Sequence, residues 1–462
     1  MIHTYKQNGF NIILDIASGA IHSADDAAYD AVCIYEEAGH QETGRRIKEK
    51  YRDLSDDEIS ELLSDIEALI ARGKLFSPDV DPEVFDKAEQ RPVKALCLNV
   101  SHACDMTCAY CFANRGGYTK DGELMSFETG KRAIDVLVQN SGGRKTLDVD
   151  FFGGEPLLNW GVVKGIVGYA RSVEKECGKK FRFTLTTNGT KIDDDVISFT
   201  NREMHNVVLS VDGRPGTNDA FRKLSGGAGS YSDVVPKIQR LVQARRNKDY
   251  YIRSTYTKAN LDFSGDVLHL ADLGFTELSS EPVVSETGRP YSLTMSDLPE
   301  LQKQYEILAV EMLRRSRIGK GFSFYHFRMD LTGGPCVHKR TAGCGVGTEY
   351  LAVAPGGSIY PCHQFVGEEG FLIGDVWGGI RNGGLRREFG RSNIHNREVC
   401  KGCWARYYCS GGCAANAYYA SGSIGGVYEL GCELLKKRVE CAIMMKVSAA
   451  ADKSTKHGTG PD

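Results

Sequence analysis

Ten of the fifteen cysteines in this 462-residue chain fall into two arrays whose spacing suits metal–sulfur chemistry. The first, Cys104-Asp-Met-Thr-Cys108-Ala-Tyr-Cys111, is a C-x3-C-x2-C run. Three thiolates on one short loop bind three irons of a four-iron cubane and leave the fourth without a protein ligand, so a small molecule could coordinate there. Zinc prefers four ligands in paired C-x2-4-C units, which a triplet at unequal spacing does not supply. A triplet so spaced arises by chance roughly 0.02 times in a chain of this composition. The second array runs Cys344-x12-Gly357-x4-Cys362, then Cys400-x2-Cys403-x5-Cys409-x3-Cys413, and ends at Cys432. In a reducing compartment such clusters bind metal rather than pair as disulfides, and the odd total also argues against a complete disulfide framework. Cys33, Cys97, Cys177 and Cys441 lie in apolar or helical patterns and read as small hydrophobes.

Six short apolar runs precede the second array: Val93 to Val100, Leu147 to Phe152, Phe181 to Thr187, Val207 to Val211, Tyr250 to Tyr256 and Thr276 to Glu281. Helical periodicity fills segments between and after them, as in Phe127 to Gln139, Val162 to Glu176 and Leu298 to Arg315. Those segments are long enough for crossovers between parallel strands, so residues 93–320 read as an α/β domain, a partial or complete (β/α)6 barrel. Such barrels build their sites at the carboxyl ends of the strands. The cysteine triplet, Gly153-Gly154-Glu155, Thr186-Thr-Asn-Gly189 and Ser210-Val-Asp-Gly213 all fall there. Residues 1–85 read as a separate module: a hairpin around Phe10 to Ile16, then a helix opened by the capping box Ser55-Asp-Asp-Glu58, with Pro78 and Pro82 in a linker. Residues 330–450 are Gly-rich and Cys-rich with few long periodic segments, where metal would stand in for a core. Residues 451–462 read as a mobile polar tail.

Charge excludes some partners. The balance of 57 basic and 60 acidic residues gives a net charge of -3, with 25% charged residues, so neither nucleic acid nor an anionic membrane is implied. No apolar run reaches the length of a membrane span, and the Asn11 to Ala17 stretch is short, carries Asp15 and lacks a basic leader. The expectation is a cytoplasmic protein.

An open iron can chelate the amino and carboxylate groups of S-adenosylmethionine and pass one electron into its sulfonium. On these residues the sequence resembles the radical S-adenosylmethionine superfamily, with Tyr110 at the aromatic position before the last cysteine of the triplet. The resemblance implies that Gly153, Gly154 and Glu155 meet the amino group of the nucleotide, and that Ser210 and Arg222 meet its ribose or carboxylate. The second array resembles the SPASM domain, which carries two auxiliary 4Fe-4S clusters and brings the total to three. By that resemblance Cys400, Cys403, Cys409 and Cys432 hold the outer cluster, and Cys344, Cys362 and Cys413 the one nearer the barrel. Cys336 or a substrate thiolate would complete the latter. His102, His338 and His363 neighbour these ligands and read as loop or supporting residues. Tyr251, Arg253, Thr255 and Glu281 could face the cavity, but alternation alone does not say which do.

The N-terminal module resembles the PqqD-like peptide-recognition element, which binds a leader segment by adding it as a strand to a sheet edge. The full-length arrangement resembles the maturases of SCIFF peptides. That implies thioether formation between a Cys sulfur and a carbon of an acceptor residue, Thr first, in a Cys-rich precursor peptide, with flavodoxin or ferredoxin as electron donor. Formylglycine formation, carbon–carbon crosslinking and epimerisation are the alternatives within the class. A zinc-rich peptide-binding protein without catalysis is the alternative outside it.

Overall fold

The computed structural model describes residues 1–79, 91–111, 122–284, 288–331, 341 and 343–457. Cys336 and His338 lie outside the described residues.

Each apolar run of the middle segment forms a strand, because a parallel strand covered on both faces must be apolar along its length. These are β4 (Ala95–Ser101), β5 (Thr146–Gly153), β6 (Lys180–Thr187), β7 (Met204–Ser210), β8 (Asp249–Tyr256) and β9 (Glu277–Pro282). They pair in parallel in chain order, and the two-residue β10 (Ser323–Phe324) extends the series beside β9. The crossovers are α3 (Phe127–Asn140), α4 (Trp160–Cys177), α5 (Asp194–Glu203), α6 (Pro215–Phe221) with α7 (Tyr231–Arg245), α8 (Phe263–Asp272) and α9 (Leu298–Arg317). Six β/α units result, and the fold class is α/β. On β8, Tyr250, Ile252, Ser254 and Tyr256 are buried while Tyr251, Arg253 and Thr255 are more open, so the polar set shares the face opposite the buried set.

The N-terminal segment forms a three-stranded antiparallel sheet of β1 (Ile2–Gln7), β2 (Phe10–Asp15) and β3 (Ile21–Ala24), followed by α1 (Asp26–Lys50) and α2 (Asp56–Ala71). Helix α1 is broken at Gly39, which takes φ 70°. Helix α2 starts at the capping box, with Glu58 N–H donating to Ser55 Oγ and Ser55 N–H to Glu58 Oε2. Strand β2 splits its alternation between two cores. Ile12, Leu14 and Ile16 pack into the main core, and Ile13 packs with Leu63 and Ile66 of α2.

Two expectations need correction. The C-terminal region is continuous with the barrel sheet: β11 (Tyr350–Val353) pairs in parallel with β4, and β12 (Ser358–Tyr360), β13 (Gly374–Asp375) and β14 (Gly379–Ile380) extend the same sheet. Nor does the chain after 450 start as a tail. After α10 (Gly383–Arg391) and α11 (Ala414–Ser421), helix α12 runs Glu429–His457, so residues 451–457 continue it. Helix α12 packs on both α9 and β2 and buries residues such as Leu430, Leu434, Val439 and Ile443. A helix wedged between two bodies shows no single apolar stripe, and its periodicity is therefore weak in the sequence.

Candidate functional site

The triplet lies on the loop that leaves the carboxyl end of β4. That loop is fixed by backbone pairing to the chain after α6: Thr107 N–H donates to Lys223 O at 2.8 Å, Ala109 N–H to Phe221 O at 3.1 Å, and Ser225 N–H to Asp105 O at 3.1 Å. Asp105 is tied to the end of β6 by Asn188 Nδ2 at 2.9 Å and Thr190 Oγ1 at 2.7 Å. Burial pushes the Cys104 thiol up to about 12, with Glu155 and Cys108 adding to the rise, and Cys108 is raised by burial and, in part, by Cys111.

Gly153 and Gly154 lie hard against the cysteine loop. A Cβ on Gly153 would lie 2.2 Å from Ser101 O, and one on Gly154 2.3 Å from Ala103 O. The close approach is to the cysteine loop itself, where Gly154 N–H donates to Ser101 O at 2.7 Å and Glu155 N–H to Ala103 O at 2.9 Å. Glu155 is fully buried. Its carboxylate accepts from Leu157 N–H at 3.0 Å, Thr187 Oγ1 at 2.8 Å and Asn188 N–H at 2.8 Å. Through these bonds the Glu155 carboxylate braces β5 against β6. Burial outweighs the three donors and pushes its pKa up to about 7.

Tyr110, Asp212 and Arg222 close the other side of the loop. Tyr110 Oη donates to Asp212 Oδ2, Arg222 Nη1 donates to Tyr110 Oη at 3.0 Å, and Thr255 N–H donates to Asp212 Oδ1 at 3.1 Å. Asp212 lies in the Ser-Val-Asp-Gly motif and was not among the expected site residues. Arg222 is a buried cation whose charge lowers the pKa of the Cys108 thiol, and its Nε has no hydrogen-bond partner among the described residues. Ser210, the last residue of β7, stands beside Arg253 of β8.

The seven C-terminal cysteines divide into two groups. Cys409, pushed up to about 12 by burial, is raised further by the charges of Cys432, Cys400 and Cys403. Cys362, raised by burial, is raised further by the charges of Cys413 and Cys344. Between Cys409 and Cys413, Ser410, Gly411 and Gly412 all take positive φ (59°, 86° and 73°). That left-handed turn sends its two cysteines to different groups. Two arginines hold the surrounding chain by its carbonyls: Arg397 donates to Ile424 O at 2.6 Å and to Gly411 O, and Arg406 donates to Lys401 O.

Among the described residues no three or more His, Cys, Asp or Glu side chains close tightly enough to hold a single metal ion. The donor chemistry fits iron–sulfur ligation: thiols such as Cys104 and Cys409, kept protonated by burial, become thiolates when a cation replaces the proton. Cys104, Cys108 and Cys111 would hold a cluster with one iron open. The quartet could close a second, and the trio a third with one further ligand. The orphaned Nε of Arg222 fits a carboxylate arriving beside Cys108.

A further polar network was not legible in the sequence. Glu281 at the end of β9 pairs with His326 at 3.0 Å, His326 Nδ1 lies 3.2 Å from Arg438 Nη1, and Arg438 Nε donates to Tyr305 Oη at 2.8 Å. His326, Arg253 and Arg438 hold the Glu281 carboxyl well below the usual range against the opposing effect of burial. The one signal was a pair of charges, Arg253 and Glu281, near the carboxyl ends of strands.

Residues 98–256 match the family model of the Radical SAM superfamily. The chain is 21% identical over 430 residues, 87% of each protein, to the radical SAM cyclopropyl synthase TigE of Paramaledivibacter caminithermalis. It is 23% identical over 342 residues, 71% of this chain and 89% of the relative, to a cysteine-type anaerobic sulfatase-maturating enzyme of Clostridium novyi. Among solved structures, anSMEcpe with bound AdoMet and Cp18Cys peptide superposes with a TM-score of 0.63 at 21% identity, covering 78% of this chain and 99% of that one. The fold is shared. No helix among the described residues is long and apolar enough to cross a membrane.

Proposed function

With a radical S-adenosylmethionine domain at residues 98–256 as the premise, we propose that this chain is a SPASM-type peptide maturase. It joins a Cys sulfur to a carbon of an acceptor residue, Thr first, within a Cys-rich SCIFF-type precursor. The observation that carries the reading is the cysteine triplet on the loop that leaves β4, together with two sets of mutually influencing thiols among the seven cysteines from Cys344 to Cys432. Relatives named as acting on a sulfatase, or solved with a peptide bound, support a peptide as substrate.

Cys104, Cys108 and Cys111 would hold a four-iron cluster, which when bound would supply the one-electron reduction of the sulfonium of S-adenosylmethionine that yields a 5′-deoxyadenosyl radical. The chain's own residues orient that nucleotide. Arg222 offers its free Nε to the carboxylate, Ser210 stands at the ribose side, and Tyr110 with Asp212 keeps Arg222 in place. The peptide loses a hydrogen atom from the acceptor carbon to the deoxyadenosyl group, and its thiol loses a proton. When the C–S bond forms, one electron must be accepted, a task that suits the C-terminal thiol groups when they carry their clusters. Cys336 or the substrate thiolate would complete the trio. β1 and β3 are the sheet edges of the N-terminal module, and β3 would take the leader as an added strand. Tethering by the leader raises the local concentration of the core peptide. Flavodoxin or ferredoxin would supply the electron.

The test is anaerobic incubation with S-adenosylmethionine, reductant and a Cys-rich precursor encoded beside the enzyme. The expected product is lighter by two hydrogens and has one fewer alkylatable thiol. A product of unchanged mass would overturn the reading. Likeness to TigE over 87% of the chain favours a second reading, carbon–carbon bond formation, which removes two hydrogens and leaves every thiol alkylatable.

A further inference from the structure

The chain from Cys400 to Cys409 has little regular structure to hold it. Glu398–Lys401 and Arg406–Cys409 are helices of four residues each, and the chain then enters the left-handed run at Ser410. A single helical turn does not keep its shape in water, because no further turns repay the cost of nucleation. Of the five residues that separate Cys403 from Cys409, three are held by the N-terminal segment. The His3 ring stacks on Trp404 with centroids 3.6 Å apart and planes 5° from parallel. Asp79 takes the other two: Arg406 Nη2 donates to its Oδ2, and Tyr407 Oη to its Oδ1. Arg406 also donates to Lys401 O, so one guanidinium links Asp79 to the chain between Cys400 and Cys403.

The N-terminal module is the firmer body in this contact. Ile12, Leu14 and Ile16 of β2 are buried in the main core with Leu430, Leu434 and Val439 of α12, the helix that carries Cys432. Strand β1 grips the same helix further along. His3 Nε2 lies 3.1 Å from Glu440 Oε1, Tyr5 Oη donates to Glu440 O at 2.9 Å, and Gln7 Nε2 donates to Cys441 Sγ at 3.3 Å. His3 therefore touches both the turn and α12 and sets one against the other. The charges agree with that role, since the Arg406 side chain is 7% exposed and that of Asp79 52%. An ion pair between two exposed groups contributes little, but loss of this carboxylate would leave a buried cation without its counter-charge.

We propose that His3 and Asp79 are positioning residues for Cys403 and Cys409, so that the N-terminal module forms one wall of the outer cysteine quartet in addition to any part it plays in leader binding. They act through Trp404, Arg406 and Tyr407. The assignment rests on the reading of the quartet as iron ligands. Metal and module close the turn together: bound iron would tie Cys403 and Cys409 to Cys400 and Cys432, and the module keeps the intervening chain from unwinding.

The experiment uses the anaerobically reconstituted full-length protein and reads amide exchange across residues 400–409 together with iron release to a chelator. His3→Ala should speed both about 5-fold, the loss of one aromatic stack, and Asp79→Ala about 10-fold. His3→Phe, which keeps a ring on Trp404, should restore most of the first effect. Exchange in the loop from Cys104 to Cys111, and the response of the paramagnetic signal to S-adenosylmethionine, should stay as in the wild type. In the iron-free protein neither variant should alter exchange at residues 400–409, because the turn is already open. Acceleration of equal size with and without iron would mark an ordinary surface contact and overturn the assignment, as would wild-type exchange and iron release in both variants. Exchange in β2 and α2 shows whether the module is folded, and Asp79→Ala, at a half-exposed position, stands if His3→Ala does not fold. A wild type that retains no iron beyond the roughly four atoms of one cluster would overturn the quartet reading and this assignment together.

Discussion

On the loop after β4 the thiols hang from a sheet that is already built. Backbone pairing to residues 221–225, the two glycines against Ser101 and Ala103, and the buried Glu155 all tie the loop to strands with apolar cores. From Cys400 to Cys432 the arrangement differs: short helical turns and three successive positive-φ residues, with carbonyls gathered by Arg397 and Arg406. In the first region the fold positions the ligands. In the second, the candidate ligands are spread over thirty-odd residues of short turns, so metal bound there would contribute to the fold itself.

Changing the loop should therefore remove chemistry, and changing the turns should remove structure. The largest effect is expected from Cys104→Ala with Cys108→Ala and Cys111→Ala. Cleavage of S-adenosylmethionine, followed as 5′-deoxyadenosine, should fall to background while the melting midpoint barely moves. A large drop in the midpoint would erase the contrast.

Next comes iron removal by anaerobic chelation. Amide exchange should speed up about 100-fold or more across residues 398–432 and change little in β5 to β8, because only the former segment relies on metal for closure. Equal loss of protection in both regions would contradict it.

A smaller effect is expected from Glu155, whose folded pKa is raised to about 7 by burial. Between its unfolded value and about 7 the folded chain holds a proton that the unfolded chain has released. Its contribution to stability is thus greatest at the acid end and falls as pH rises, by roughly 1.4 kcal/mol per pH unit. Asp150, raised to about 6 by burial and by Asp148, acts in the same direction below pH 6. Glu155→Gln should flatten the dependence between about pH 6 and 7, checked by denaturant midpoints, and an unchanged slope would show that its carboxylate is not buried as described.

The smallest effect is at the contact between the N-terminal module and the outer thiol region. His3 stacks on Trp404 with centroids 3.6 Å apart and bonds to Glu440 at 3.1 Å. His3→Ala should cost about 1 kcal/mol, seen as a shift of a few degrees in the thermal midpoint. No shift would mean that the stack contributes nothing to docking.

The same contrast explains what could be read in advance. Strands β4 to β9 were legible because buried parallel strands are apolar runs, and the cysteine arrays because ligand spacing is local. The continuation of the sheet into β11 to β14 was hidden in strands of two to four residues. The reason for Gly153 and Gly154 was hidden too, since a glycine motif does not say whether ligand or backbone makes the close approach. The Glu281–His326–Arg438 network joins residues more than a hundred positions apart, and no periodicity encodes such a meeting. Helix α12 buries several faces at once and left no stripe to follow.

The central claim is that the thiols of Cys104, Cys108 and Cys111 support a cluster with one iron open to S-adenosylmethionine. Electron paramagnetic resonance of the anaerobically reconstituted, reduced protein tests it directly. The expected signal changes when S-adenosylmethionine is added and is absent from the triple alanine variant, with the other iron signals retained. Zinc in place of iron, or a spectrum that the nucleotide leaves unchanged, would contradict it.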